Sequence, residues 1–242
     1  MKLNHKYAIG CIVQWYEVEI YQDYIQSVIN SLQEIENKEN VIVDVCFYLS
    51  ENLETIDTSQ ITQKQIIDKF KESEKQLNKN NIQCNVEYYS DSEIYTIANY
   101  RRDFNDKYCE KVDVLMWGET DALIPKQTFQ VLDLLHQSNV SQNIYKYVAF
   151  FGGCKMWDDS WKPIEHTKFT DKPIDNKKWW GTRYVTTIEE MNKINSDVDE
   201  LDVRIVSPHK FNGCGLVISS EVIKSGVNIP KTVFFTHEDT SF

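Results

Sequence analysis

No apolar run of about 18 residues occurs in the 242-residue chain, so nothing in it reads as a transmembrane segment. The apolar part of the opening MKLNHKYAIGCIV is too short for a secretion signal and is broken by Gln14. There is no CxxC pair. The six cysteines, Cys11, Cys46, Cys84, Cys109, Cys154 and Cys214, are dispersed, four of them in or beside apolar runs, which reads as buried free thiols in a reducing, cytoplasmic compartment. Basic excess is missing as well. With 26 Lys and Arg against 37 Asp and Glu, the net charge of −11 excludes a general nucleic-acid surface, because such affinity comes from cations that neutralise phosphates. Repeats, linkers and low-complexity tracts are also absent.

What remains is a composition that folds: 41% hydrophobic, 26% charged and 12% aromatic, too rich in aromatics for a disordered chain. The length suits one domain over residues 1–242. Tyr7 to Val13 is a short apolar strand, followed by a helix that places Tyr24, Ile25, Val28, Ile29, Leu32 and Ile35 on one face. VIVDVCFYL, Val41 to Leu49, is a second strand, and Thr62 to Asn81 a helix with Ile66, Ile67, Phe70 and Leu77 inward. A third strand over Gln83 to Tyr89 leads to a helix carrying Ile94, Ile97, Ala98, Arg101, Arg102 and Phe104, then a fourth strand over Val112 to Trp117 and a helix over Lys126 to His136. This alternation predicts an α/β domain with a mostly parallel sheet, whose ligands sit at the carboxyl ends of the strands. Beyond Tyr145 come one more strand, YKYVAFFGG, a loop-rich stretch from Cys154 to Lys178, a short helix over Ile188 to Ile194, and a glycine turn, strand and helix in FNGCGLVISSEVIKSG.

One stretch asks for chemistry. VLMWGETDALIP, Val114 to Pro125, runs from a strand through Gly118 into two carboxylates, Glu119 and Asp121, on either side of Thr120. Desolvated charges cost several kcal/mol by rough reckoning unless compensated. A hard cation, Mg²⁺ or Mn²⁺, compensates them and takes its remaining ligands from water and a diphosphate. The alternative is that Thr120 or Asp121 caps a helix.

The order of features resembles a nucleotide-sugar-dependent glycosyltransferase of the GT-A fold, similar to the large inverting family. The matching segments are SVINSL, IYTIANYRRDFN, VDVLMWGETDALIP and FNGCGLVISSEVIKSGVNIPKTVFFTHEDTSF, together about half of the chain. The resemblance implies a Rossmann-type α/β/α sandwich with residues 1–125 as the nucleotide-sugar-binding half and 126–242 as the acceptor-side half. Glu119-Thr120-Asp121 takes the place of the DxD motif as an ExD variant. It implies transfer from a nucleoside-diphosphate sugar to a hydroxyl acceptor, with Asp121 and Glu119 on the metal. Asp239 is the implied general base, Glu238 the second choice, and direct displacement inverts the anomeric centre. His237 would complete the metal shell in a retaining enzyme.

The family's second-strand acidic motif is replaced by YLSENLE, which leaves Glu51 as the acid for the base. Arg101 or Arg102, helped by Asn99, is placed to meet a phosphate or ribose, and Trp179 and Trp180 to stack on a ring. Gly213 and Gly215 allow close backbone approach to a substrate or a tight turn. Two other readings stand beside this one. A nucleotidyltransferase would need a Gly-rich basic loop after the first strand, which IGCIVQWYEVEIYQ lacks; a catalytically silent carbohydrate- or protein-binding module would keep the scaffold alone.

Overall fold

The computed structural model describes residues 1–13, 21–49, 62–90, 95–120, 122–150, 154–156, 183–185, 215–233 and 242. Its strands are β1 (Tyr7–Val13), β2 (Val41–Leu49), β3 (Gln83–Ser90), β4 (Val114–Trp117), β5 (Val148–Phe150), β6 (Cys154–Met156), β7 (Arg183–Val185) and β8 (Leu216–Ser219). Its α-helices are α1 (Tyr21–Ser31), α2 (Gln63–Lys79), α3 (Ile97–Tyr108), α4 (Thr128–Ser141) and the single turn α5 (Ser220–Lys224). Six strands form one sheet in the order β3-β2-β1-β4-β8-β5, while β6 and β7 pair separately and in parallel. Only β8 runs against the others of the large sheet: β1 pairs in parallel with β2 and β4, β2 with β3, and β8 is antiparallel to β4 and β5.

Burial on both faces explains the sequence of the central strands. Every residue of YAIGCIV in β1 and VLMW in β4 is buried, as expected of strands covered by helices on each side. On one face α1 buries Tyr21, Tyr24, Ile25, Val28 and Ile29, α2 adds Ile66, Phe70 and Leu77, and α4 adds Phe129 and Leu132. On the other, α3 sets Ala98, Tyr100, Phe104 and Tyr108 against Leu115, Trp117, Leu216 and Ile218. Two helices start on reciprocal caps. The Thr62 hydroxyl accepts from the Gln65 amide while Gln65 answers to the Thr62 backbone, and Thr96 and Asn99 repeat the arrangement at α3.

Element order and kind agree with the sequence pattern except at β6, which lies in the stretch from Cys154 read as loop, and β7, which the pattern does not show; some boundaries also moved. The helix expected over Lys126 to His136 starts at Thr128 and runs on to Ser141. Of the strand expected from Tyr145, Val148–Phe150 pairs with β8, and residues 151–153 lie outside the described residues. The helix read over Ile188 to Ile194 lies outside the described residues. Among the described residues, Cys46, Cys84 and Cys109 are free thiols. Burial pushes the Cys46 thiol up to about 12, so it is inert at neutral pH. No helix among the described residues is long and apolar enough to cross a membrane.

Candidate functional site

The strand order places one crevice before any residue is considered. From β1 the chain winds outward to β2 and β3, and after α3 it returns to the far side of β1 as β4. The winding reverses between β1 and β4, and in open α/β sheets ligands bind outside the carboxyl ends of the strands at such a reversal. The backbone of β4 leaves the sheet there: the Gly118 amide donates to the Gly10 carbonyl at 2.7 Å, and the Ala122 amide to the Glu119 carbonyl at 3.0 Å. Gly118, Glu119 and Thr120 therefore form the lip of the crevice.

Gly118 is there because nothing larger fits. A methyl group in its place would overlap the Tyr24 hydroxyl and approach Tyr24 Cζ to 3.1 Å and Ile9 Cγ1 to 3.3 Å. Tyr24 is fully buried on α1 and has no room to withdraw. Gly118→Ala is expected to cost about 1–3 kcal/mol of stability through overpacking. A melting temperature equal to that of the parent chain would remove this account.

Glu119 sits against Arg101. The Arg101 Nη2 donates to Glu119 Oε1 at 2.7 Å, with side chains 4% and 15% exposed, and the guanidinium lies 4.7 Å from the Trp117 ring centroid. The charge conflict that the sequence raised for the two acids is thus met, at Glu119, by a cation reaching over from α3. Thr120 is buried, and its hydroxyl has no hydrogen-bond partner. It is no helix cap either, because α4 begins only at Thr128, after Gln127.

The two adjacent arginines part company. Arg102 points away from the pair and donates to the carbonyls of Ile229 at 2.9 Å, Pro230 at 2.9 Å and Val233 at 3.3 Å. Asn228 extends this latch: it donates to the Arg102 carbonyl and to Asp106, and accepts from Asn105. Asn105 in turn accepts the Trp117 indole N–H at 2.9 Å. The terminal residue Phe242 packs edge-on against Trp117 with ring centroids 5.6 Å apart. Side chains of α3 and β4 therefore hold Asn228, Ile229, Pro230, Val233 and Phe242. Asn99 is taken up by the α3 cap, its side-chain oxygen accepting from the Thr96 hydroxyl at 2.7 Å.

Of the residues singled out in the sequence, Arg101, Gly118, Glu119 and Thr120 come together at the crevice, whereas Arg102 and Asn99 have structural partners. Gly215 opens β8 with φ of +60°, a turn conformation that favours glycine. Glu51, Asp121, Trp179, Trp180, Gly213, His237, Glu238 and Asp239 lie outside the described residues. Two groups escaped the sequence reading. Asp44, in the middle of β2, is a buried carboxylate ringed by Asn85, Tyr100, Lys107 and Tyr108. His5, Asp113 and His136 gather at the opposite, amino-terminal edge of the sheet, with donor atoms within 4.8 Å of one another. No spacing along the chain announces either group, because their members come from separate elements.

The reversal at β1 and β4, the single reversed strand and the helices on both faces define a GT-A-like α/β fold. Among solved structures the chain is similar to TarS 1–349 of S. aureus, with a TM-score of 0.50 and 12% identity over 97% of this chain and 53% of that one. At that identity the likeness is one of fold, and the chain spans about half the length of the structure it matches. No protein-family model matches the chain, and no curated protein matches it.

Proposed function

We propose that the chain is a metal-dependent glycosyltransferase that moves a sugar from a nucleoside-diphosphate sugar to a hydroxyl acceptor with inversion. The observation that carries this reading is the lip of the crevice: an acid fixed by a buried arginine, next to a buried hydroxyl with no partner, at the point where the sheet winding reverses. The GT-A-like fold shared with S. aureus TarS 1–349 fits the same reading.

An unpaired buried hydroxyl costs about 1–3 kcal/mol, and a ligand oxygen or cation would relieve it. Glu119, Thr120 and Asp121 offer an all-oxygen donor set that suits Mg²⁺ or Mn²⁺ rather than a softer ion. When bound, the ion supplies Lewis-acid stabilisation of the departing diphosphate. The protein's own residues do the rest. Arg101 holds the Glu119 carboxylate in one orientation and brings a fixed positive charge to the place where diphosphate charge develops. Asp239 takes the proton from the acceptor hydroxyl as its oxygen bonds to the anomeric carbon and the bond to the diphosphate breaks.

A thermal-shift series tests this. Nucleoside-diphosphate sugars with Mn²⁺ are expected to raise the melting temperature by several degrees, since a ligand bound only to the folded chain stabilises it by mass action. Asp121→Ala should lose the Mn²⁺-dependent part, and Asp239→Asn should keep it while forming no product. Stabilisation by nucleoside triphosphates alone would turn the reading to nucleotidyl transfer, and no shift with any donor would leave a binding module.

A further inference from the structure

At the edge of the sheet farthest from Glu119, three metal-ligating side chains converge from three elements. His5 precedes β1, Asp113 precedes β4, and His136 lies in the second half of α4. His5 Nδ1 is 4.0 Å from Asp113 Oδ2, and the two imidazoles meet edge to face with centroids 4.4 Å apart. We propose that this His5–Asp113–His136 cluster is a binding site for a late first-row divalent cation of the Zn²⁺ class, separate from the oxygen-lined crevice.

The chemistry of the donors selects the ion. Two imidazoles and one carboxylate with a further position open are the donor set of three-ligand zinc sites, whereas Mg²⁺ and Ca²⁺ prefer oxygen alone. Donor atoms around tetrahedral Zn²⁺ stand about 3.4 Å apart, so capture of the ion requires each side chain to move in by roughly an ångström. His5 and Asp113 also line a surface cavity of about 350 Å³, together with Lys6, Asn40, Lys111 and Lys224, which brings solvent to these two ligands; His136 does not line it.

Each ligand is also held from behind, as metal ligands commonly are. The buried Asp133 carboxylate, one turn before His136 on α4, accepts from the Asn4 amide at 2.9 Å, the His5 amide at 3.2 Å and the Tyr7 hydroxyl at 2.6 Å. That fixes the backbone of His5 over His136. The Lys6 amide donates to Asp113 Oδ2 at 2.8 Å. His136 Nδ1 pairs with the Tyr147 hydroxyl at 2.9 Å; with the proton on Nδ1, the lone pair of Nε2 is left for a cation.

The test is a titration of the full chain, stripped with chelator, with Co²⁺ followed by visible absorption and with Zn²⁺ followed by calorimetry. One equivalent is expected to bind, with the intense absorption of tetrahedral Co²⁺ and a rise of several degrees in melting temperature. His5→Ala and His136→Ala should each weaken binding at least tenfold, and Asp121→Ala should bind like the parent chain, which separates this site from the crevice. His5 is partly exposed, so its variant serves if His136→Ala fails to fold. No binding by the parent chain, or parent-like binding by a folded His5→Ala chain, would overturn the proposal.

Discussion

Arg101→Met is expected to lower the free energy of unfolding by about 3–5 kcal/mol, because it removes one partner of a buried ion pair while the other stays in place. The geometry supports the upper part of that range: the pair is 2.7 Å long, both side chains are largely buried, and the guanidinium also covers the Trp117 ring. Arg101→Lys should recover only part of the loss, since a point ammonium cannot cover an indole and bind a carboxylate edge at once. Urea unfolding of Arg101→Met, Glu119→Gln and the double variant measures the coupling directly. If the two losses add, the pair does not hold the lip of the crevice. Under the proposed function Arg101→Met also weakens donor binding, because Glu119 loses the orientation that the arginine imposes.

Asp44→Ala is expected to cost a similar ~3–5 kcal/mol, for a different reason. The Asp44 carboxylate is buried in β2 and accepts from Tyr100 at 2.8 Å, Tyr108 at 2.6 Å, Asn85 at 2.9 Å and Lys107 at 3.1 Å. Its removal strands the Tyr108 hydroxyl and leaves the Tyr100 hydroxyl only the Asp44 backbone carbonyl at 3.2 Å; both phenols are raised by burial first and by this carboxylate second, so neither ionises to escape. Lys107 is partly exposed and turns to water, which limits its share of the loss. Asp44→Asn keeps an acceptor oxygen and should lose less than Asp44→Ala. A loss below about 1 kcal/mol for Asp44→Ala in urea unfolding would show that the network merely decorates the packing.

These two residues show where the sequence was readable and where it was silent. Arg101 stood out because it lies beside Arg102 in a helix read before the acidic strand end, yet nothing in that adjacency says which arginine meets Glu119. Helical geometry turns consecutive residues about 100° apart, so only one faces the crevice and the other latches onto the carbonyls of Ile229, Pro230 and Val233. Nothing in the sequence pattern marks Asp44, one polar residue in an apolar strand. Its four partners lie 41 to 64 positions away, and only the packing of α3 on β2 and the pairing of β3 bring them in.

Local chemistry was enough for the periodicities of the strands and helices, for their order, and for the interruption at Gly118 with its acids, because side-chain spacing and burial are properties of neighbours along the chain. The sequence by itself therefore determined an α/β chain with a polar strand end at Glu119. The tertiary structure decided that this end lies where the winding reverses, that Arg101 neutralises it, and that His5, Asp113 and His136 meet at the opposite edge. These are relations between segments far apart in sequence, set by which strand lies beside which, and no local pattern encodes them.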